Sequence, residues 1–237
     1  MVLQTRDERS ALKICFDSLI VGKISRLSSL VHHLKNYIWP MFKIGVMASG
    51  GGSNFKAIID RIGEGDLEAQ CKFLITNNGG CGAVHHAEEY GIPVYHISGK
   101  THPDQAAYEA AMLEVLDKYD VDLLILAGYM KALPLCMLKR LPNRILNIHP
   151  SLLPKFGGKG FWGHHVHEAV LAAHETESGP TVHLVSEEID RGRILAQTKV
   201  PVLPDDTPDT LAARVLVQEH NLYWKTIRDY AQSLGLH

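Results

Sequence analysis

The sequence predicts an α/β fold: an open, mostly parallel, Rossmann-like twisted sheet with helices on both faces and an antiparallel C-terminal extension. Three observations predict it. Apolar runs that read as strands alternate with segments of helical spacing over residues 43–148. Residues 121–127 are almost wholly apolar, as expected of a strand covered on both faces. After Pro154 the alternation stops: residues 181–185 and 194–200 are strand-like with no long helix between them, so an antiparallel hairpin is expected.

Taken in order, residues 43–49 read as a buried strand, followed by Gly50-Gly51-Gly52-Ser53-Asn54 and by Phe55, Ile58, Ile59 and Ile62 at helical spacing. The turn and the first helical residues leave N–H groups without internal partners, which suits a phosphate. The glycines are contiguous and no Gly-Lys-Ser/Thr follows, which excludes the dinucleotide fingerprint and the Walker loop. A tight turn with a Ser53 or Asn54 helix cap explains the same residues. Residues 71–76 then form a strand, 83–90 a short helix ending at Gly91, and 93–97 another strand. Pro103 is expected to begin a helix with Tyr108, Met112, Val115 and Leu116 on one side. The apolar strand 121–127 ends at residues 128–133, a loop at a carboxyl end, where open α/β sheets hold ligands. Residues 134–141 look helical and 144–148 form the next strand. Beyond them come a glycine-rich aromatic loop at 156–163, a helix at 164–174, and a loop at 186–192 carrying Glu187, Glu188 and Asp190. Thr207 caps a long final helix with Pro208 in its first turn, running through Leu211, Val215, Glu219, Leu222 and Ile227.

The stretch Asn147-Ile148-His149-Pro150-Ser151-Leu152-Leu153-Pro154 concentrates the chemistry. Residues i and i+2 of a strand share a face, so Asn147 and His149 point together into one pocket while Ile148 packs beneath, and the prolines end the strand. An amide donor beside an imidazole suits a carbonyl acquiring negative charge, although a strand end with a polar edge is the plainer reading. A carboxylate near His149, with Asp190 at the end of the acidic loop, is expected to raise its pKa and fix its tautomer. No Ser, Cys or Thr occupies a nucleophile elbow, so the substrate is expected to bring its own nucleophile. Read alone, His183 is a satisfied or substrate-side residue, Glu187 and Glu188 a solvated edge, and Glu219 half of a surface ion pair.

Composition limits the partners. With 46% hydrophobic and 21% charged residues and a formal net charge of −2, nothing draws the chain to nucleic acid or an acidic membrane, and an anionic ligand must be held locally. No run of about 18 apolar residues exists. Cys15, Cys71, Cys81 and Cys136 are scattered, which fits reduced thiols in a cytoplasm. His164, His165 and His167 with Glu168 do not complete a coordination shell, so no metal is expected. Residues 1–40 read as an N-terminal extension of unknown role, without the apolar block of a secretory signal and with acids that argue against a transit peptide. Residues 41–237 are expected to form one catalytic domain.

Three motifs, Ser49-Gly50-Gly51-Gly52-Ser53-Asn54, the Asn147 to Pro154 stretch, and the segment from Gly179 closing with Asp190-Arg191-Gly192, carry a resemblance in order and spacing. From Met41 onward the chain resembles the phosphoribosylglycinamide formyltransferases, folate-dependent one-carbon transferases of purine biosynthesis. The middle motif alone marks formyl-transferring folate enzymes generally, and the opening turn narrows it to this branch. The resemblance implies the formyltransferase fold, with 10-formyltetrahydrofolate as co-substrate and no metal. It implies transfer of the formyl group to the amine of 5-phosphoribosylglycinamide. Gly52, Ser53 and Asn54 would then hold the phosphate, with Glu219 near the ribose. Met130, Lys131, Ala132 and Leu133 would line the folate pocket with Asn147, Val185, Glu188 and Asp190. Asn147 and His149 would bond the formyl oxygen, with His149 as proton donor kept charged by Asp190. Two departures stand out: Gln105 replaces an arginine of some relatives, with Lys100 or His102 as substitutes, and the loop 155–163 is longer than usual. The alternatives are a formyltetrahydrofolate hydrolase, for whose N-terminal regulatory domain forty residues are too few, and a non-catalytic nucleotide-binding module. A methionyl-tRNA formyltransferase would need a further C-terminal domain. Small-molecule substrates are expected, with no nucleic acid and no membrane, in a monomer or homodimer.

Overall fold

The computed structural model describes residues 41–236, so the expectation for residues 1–40 lies outside the described residues. The first half alternates as β1 (Phe42–Met47), α1 (Ser53–Glu64), β2 (Ala69–Thr76), α2 (Gly82–Glu89), β3 (Val94–His96), α3 (Gln105–Tyr119), β4 (Leu123–Leu126), α4 (Leu135–Arg140) and β5 (Ile145–His149). The second half contains α5 (His164–Ala172), β6 (Glu177–Ser178), β7 (Thr181–Leu184), β8 (Ile194–Gln197), β9 (Val200–Pro201) and α6 (Pro208–Ser233). Seven strands form one sheet in the order β3-β2-β1-β4-β5-β7-β8. The first five are parallel, and β7 and β8 add antiparallel to the β5 edge.

Both faces are covered, which explains the apolar strands. Ile44, Val46, Leu123 and Ile125 pack with Phe55 and Ile58 of α1 and Tyr223 and Ile227 of α6. Their neighbours Met47, Leu124 and Leu126 pack on the opposite face with Met112 and Leu116 of α3 and Met137 of α4. With period-2 alternation, a strand buried on both faces has no polar position, and β4 is buried at all four residues. Gly45 is small because a Cβ there would lie 2.2 Å from the Phe73 ring.

Two expectations need correction. Pro103 does not begin α3: the helix starts at Gln105, because the Asp104 side chain caps it by accepting from the Ala107 N–H at 2.8 Å. Residues 194–200 are not one strand. β8 ends at Gln197, and Val200–Pro201 turns away to pair with Glu177–Ser178 in a separate two-stranded ribbon. Gly179 (φ 140) packs against this break, where a Cβ would lie 1.8 Å from the Thr198 carbonyl oxygen, too close for any other residue. The final helix does begin with Thr207 as cap, reinforced by reciprocal bonds with Thr210.

The strand order places a crevice between β1 and β4, since α1 leaves toward one face and α4 toward the other. The Ser49 N–H donates to the Gly128 carbonyl at 3.1 Å and the Met130 N–H to Ser49 Oγ at 2.9 Å, tying the two loops together. From below, the buried Tyr223 hydroxyl shares its proton between the carbonyls of Leu126 and Leu146, at 2.9 and 3.0 Å. Tyr223→Phe leaves both buried acceptors without this donor and is expected to cost about 1–3 kcal/mol in urea unfolding. An unchanged midpoint would mean that the bond does not hold the strand ends. Among the described residues no helix is long and apolar enough to cross a membrane.

Candidate active site

The carboxyl ends of β1, β4 and β5 open into one cavity of about 680 Å³. At its β1 end, Gly52 takes the left-handed conformation (φ 80) at the N-terminus of α1, and no side chain caps the helix. The reading of Ser53 or Asn54 as a cap is therefore replaced by an uncapped helix end facing the cavity, with its dipole available to an anion. A Cβ on Gly52 would lie 2.6 Å from Ala83 Cα, so packing as well as φ demands glycine. The Asn54 side chain turns to α6 and donates to Glu219 Oε2 at 2.6 Å, while its own Oδ1 is buried without a partner among the described residues. Glu219 is not in a surface ion pair: only 9% exposed, its carboxyl is pushed up by burial, with the Asn54 bond opposing.

Asn147 and His149 both line the cavity from β5, as their shared strand face requires. His149 Nε2 lies 2.7 Å from the Phe156 carbonyl and Nδ1 lies 3.5 Å from Asp190 Oδ2. Asp190 also accepts from the Gly158 N–H at 2.9 Å, and its Oδ1 lies 3.6 Å from His183 Nε2. His183 donates from Nδ1 to the Leu184 carbonyl at 2.9 Å, which leaves Nε2 to accept from Asn147 Nδ2 at 3.1 Å. His183 is thus a member of the group that sequence reading left outside it. Its place follows from β5–β7 pairing, which sets His183 opposite Asn147. The only sequence signal was its alternation with apolar neighbours.

The expected rise in the His149 pKa is corrected. Burial lowers it, outweighing Asp190 and the Phe156 carbonyl, which favour the charged ring; His183 adds to the lowering. Asp190 goes the other way: burial alone would raise its carboxyl, but the nearby His183 and His149 rings and the Gly158 N–H together hold it below the ordinary carboxylate value.

His167 also reaches the cavity, from α5. Burial, with His164 and His149 nearby, pushes it down to about 4, and its Nδ1 is buried without a partner among the described residues. Its folded pKa lies below its unfolded value, so the folded state disfavours the proton. Its contribution to stability is complete above about pH 6.5 and is lost as pH falls toward 4, on the order of 3 kcal/mol across that window. Urea unfolding at pH 7, 5.5 and 4.5 checks this: His167→Phe is expected to flatten the decline, and a variant that declines as steeply as the parent removes His167 as its source. His165 pairs with Glu168 at the surface, at 3.1 Å. Among the described residues no group of three or more His, Cys, Asp or Glu side chains is placed to hold a metal ion.

Met130, Lys131, Ala132 and Leu133 line the same cavity, as do Val185, Glu188 and Asp190. The long loop contributes Gly158, Lys159, Phe161 and Trp162 to the lining, which its composition alone did not indicate. Gln105, Lys100 and His102 do not line the cavity; the Gln105 amide instead donates to Glu109 at 2.7 Å.

Residues 42–227 match the family model described as formyl transferase. The chain is 46% identical over 186 residues to a chloroplastic phosphoribosylglycinamide formyltransferase of Arabidopsis thaliana, covering 78% of this chain and 64% of that protein. It is 36% identical over 192 residues to phosphoribosylglycinamide formyltransferase of Haemophilus influenzae, covering 81% and 88%. The chain thus spans less than two thirds of the Arabidopsis relative and most of the Haemophilus one. Among solved structures, glycinamide ribonucleotide transformylase 1 from Symbiobacterium toebii superposes with a TM-score of 0.76 at 38% identity, covering 81% of this chain and 89% of that one. A formyltetrahydrofolate deformylase from Pseudomonas syringae, 23% identical, shares the fold. With residues 42–227 matching the family model and four fifths of the chain superposing on a solved relative at 38% identity, the chain belongs to the formyl transferase family.

Proposed function

We propose that the chain transfers the formyl group of 10-formyltetrahydrofolate to the amine of 5-phosphoribosylglycinamide, giving formylglycinamide ribonucleotide and tetrahydrofolate in de novo purine biosynthesis. The observation that carries this reading is a single cavity lined both by an uncapped helix end and by the Asn147, His149 and Asp190 group. In this reading the phosphate sits on Gly52, Ser53 and Asn54, and Glu219 accepts from the ribose. The folate ring lies between residues 130–133 and 185–190. The glycinamide amine attacks the formyl carbon, and the amide of Asn147 and the imidazole of His149 receive the oxyanion. Negative charge on that oxygen adds to Asp190 and offsets the burial that keeps His149 neutral, so the ring takes up the proton that the attacking amine loses, relayed through water, as the intermediate forms. The ring then gives up that proton, by the same water relay, to the leaving nitrogen of the folate, and returns to its neutral form.

The reading assigns the activity to residues 41–237, with residues 1–40 as an extension, and the protein to the cytoplasm as a monomer or homodimer that binds no nucleic acid. Its support there is the unpaired state of Cys71, Cys81 and Cys136, which fits a reducing compartment. The Arabidopsis relative is described as chloroplastic, so imaging the full chain with a C-terminal fluorescent fusion decides between the two locations. The activity is tested by following tetrahydrofolate release from 10-formyltetrahydrofolate with and without the ribonucleotide. Release that requires the ribonucleotide is expected. Release without it would make the protein a hydrolase, and binding of the ribonucleotide without release would make it a binding module.

A further inference from the structure

Three consecutive units of the long loop reach the two groups on which the proposed reaction depends. The Phe156 carbonyl lies 2.7 Å from His149 Nε2, and the Gly158 N–H donates to Asp190 Oδ2 at 2.9 Å. Between them, a Cβ on Gly157 would lie 2.3 Å from Leu153 Cδ2 and 3.2 Å from Asp190 Cβ. Phe156 and Asp190 both sit in the left-handed region, at φ 52 and 56, which costs a residue with a side chain about 1–2 kcal/mol. Strain of this kind persists only where the surroundings impose it, and it concentrates at functional sites. Here the surroundings are visible. The Phe156 ring packs edge-on to Phe161 at 6.1 Å and against Val170, Val200 and Leu211, while Ser151 Oγ donates to the Lys155 carbonyl at 2.7 Å.

A carbonyl can only accept, so Nε2 of His149 carries a proton whether the ring is neutral or charged. The nitrogen that gains and loses the exchangeable proton is therefore Nδ1, which faces Asp190. The other titratable groups facing the ring are His183 from β7 and His167 from α5. We propose that the main chain of residues 156–158 is a positioning element that holds His149 in the Nε2–H tautomer, so that Nε2–H, beside the Phe156 carbonyl, is the hydrogen offered to the oxyanion, while the proton the ring gains and loses stays at Nδ1, facing Asp190. This rests on the reading of His149 as the proton donor, and it gives the loop 155–163 a role in the chemistry as well as in the lining of the cavity.

Long-range proton–nitrogen spectra of the full chain, labelled at histidine and assigned by comparison with His149→Gln, test this without any substrate. The neutral wild-type ring is expected to carry its proton on Nε2 alone. In Gly157→Ala the added methyl meets Leu153 and Asp190, so the single tautomer is expected to give way to a mixture. The acid limb of the kcat–pH profile should move by about half a pH unit or more, with KM for both substrates changing less than kcat. A wild-type ring protonated on Nδ1, or a Gly157→Ala protein with the wild-type tautomer and profile, overturns the proposal. Should Gly157→Ala not fold, the wild-type tautomer decides alone. Should formyl transfer be absent, the spectra still report on the positioning element, so the two readings fail separately.

Discussion

His149→Ala is expected to slow formyl transfer by about 10²–10⁴-fold, the usual contribution of a positioned proton donor. Ribonucleotide affinity should be nearly unchanged, because the helix end at Gly52 and the Glu219 carboxyl belong to other elements. Asp190→Asn should fall in the same direction, since the amide cannot supply the negative charge that favours a protonated ring. The two losses are not expected to add. Nδ1 of His149 and Oδ2 of Asp190 face each other at 3.5 Å, and groups that act as a unit give a double variant little worse than the worse single one. The check is single-turnover kinetics on both variants and the pair, alongside a thermal melt. Turnover within tenfold of the parent in His149→Ala would remove this residue from the mechanism, and full additivity would separate the two groups.

Gly192→Ala should damage both stability and catalysis. A Cβ there would lie 1.7 Å from the Leu184 carbonyl oxygen and 2.8 Å from its carbon, and these are main-chain atoms of β7 that cannot swing aside. The same carbonyl accepts from His183 Nδ1 and so fixes which nitrogen faces Asn147. Displacing it is expected to cost about 1–3 kcal/mol of stability through overpacking. It should also lower kcat by about 10²-fold, because the His183, Asn147 and Asp190 network moves with it. Urea unfolding and kcat on the same preparation check both parts. A variant with the parent's midpoint and rate would show that the Asp190 loop tolerates a shift of β7.

Much of this site is written in short stretches of sequence. Asn147 and His149 share a face because a strand has period two, and the glycine turn ends in an uncapped helix because Gly52 takes a left-handed conformation that other residues avoid. Thr207, Pro208 and Thr210 mark the start of α6 for equally local reasons. Where local signals competed, the sequence misled: Asp104 outranked Pro103 as the start of α3, because a carboxylate that accepts an N–H defines a helix end better than a fixed φ alone.

What the chain determined alone was therefore its strands, its helices and the pairing of an amide with an imidazole, because these depend on neighbours a few residues apart. The tertiary structure decided which groups meet them. His183 faces Asn147 only through the antiparallel register of β7 on β5, and Asp190 and Phe156 reach His149 from two separate loops. It also decided the sign of the His149 shift. A nearby carboxylate can be guessed from sequence, but the desolvation that outweighs it comes from every element that closes over the ring, and no single segment encodes that.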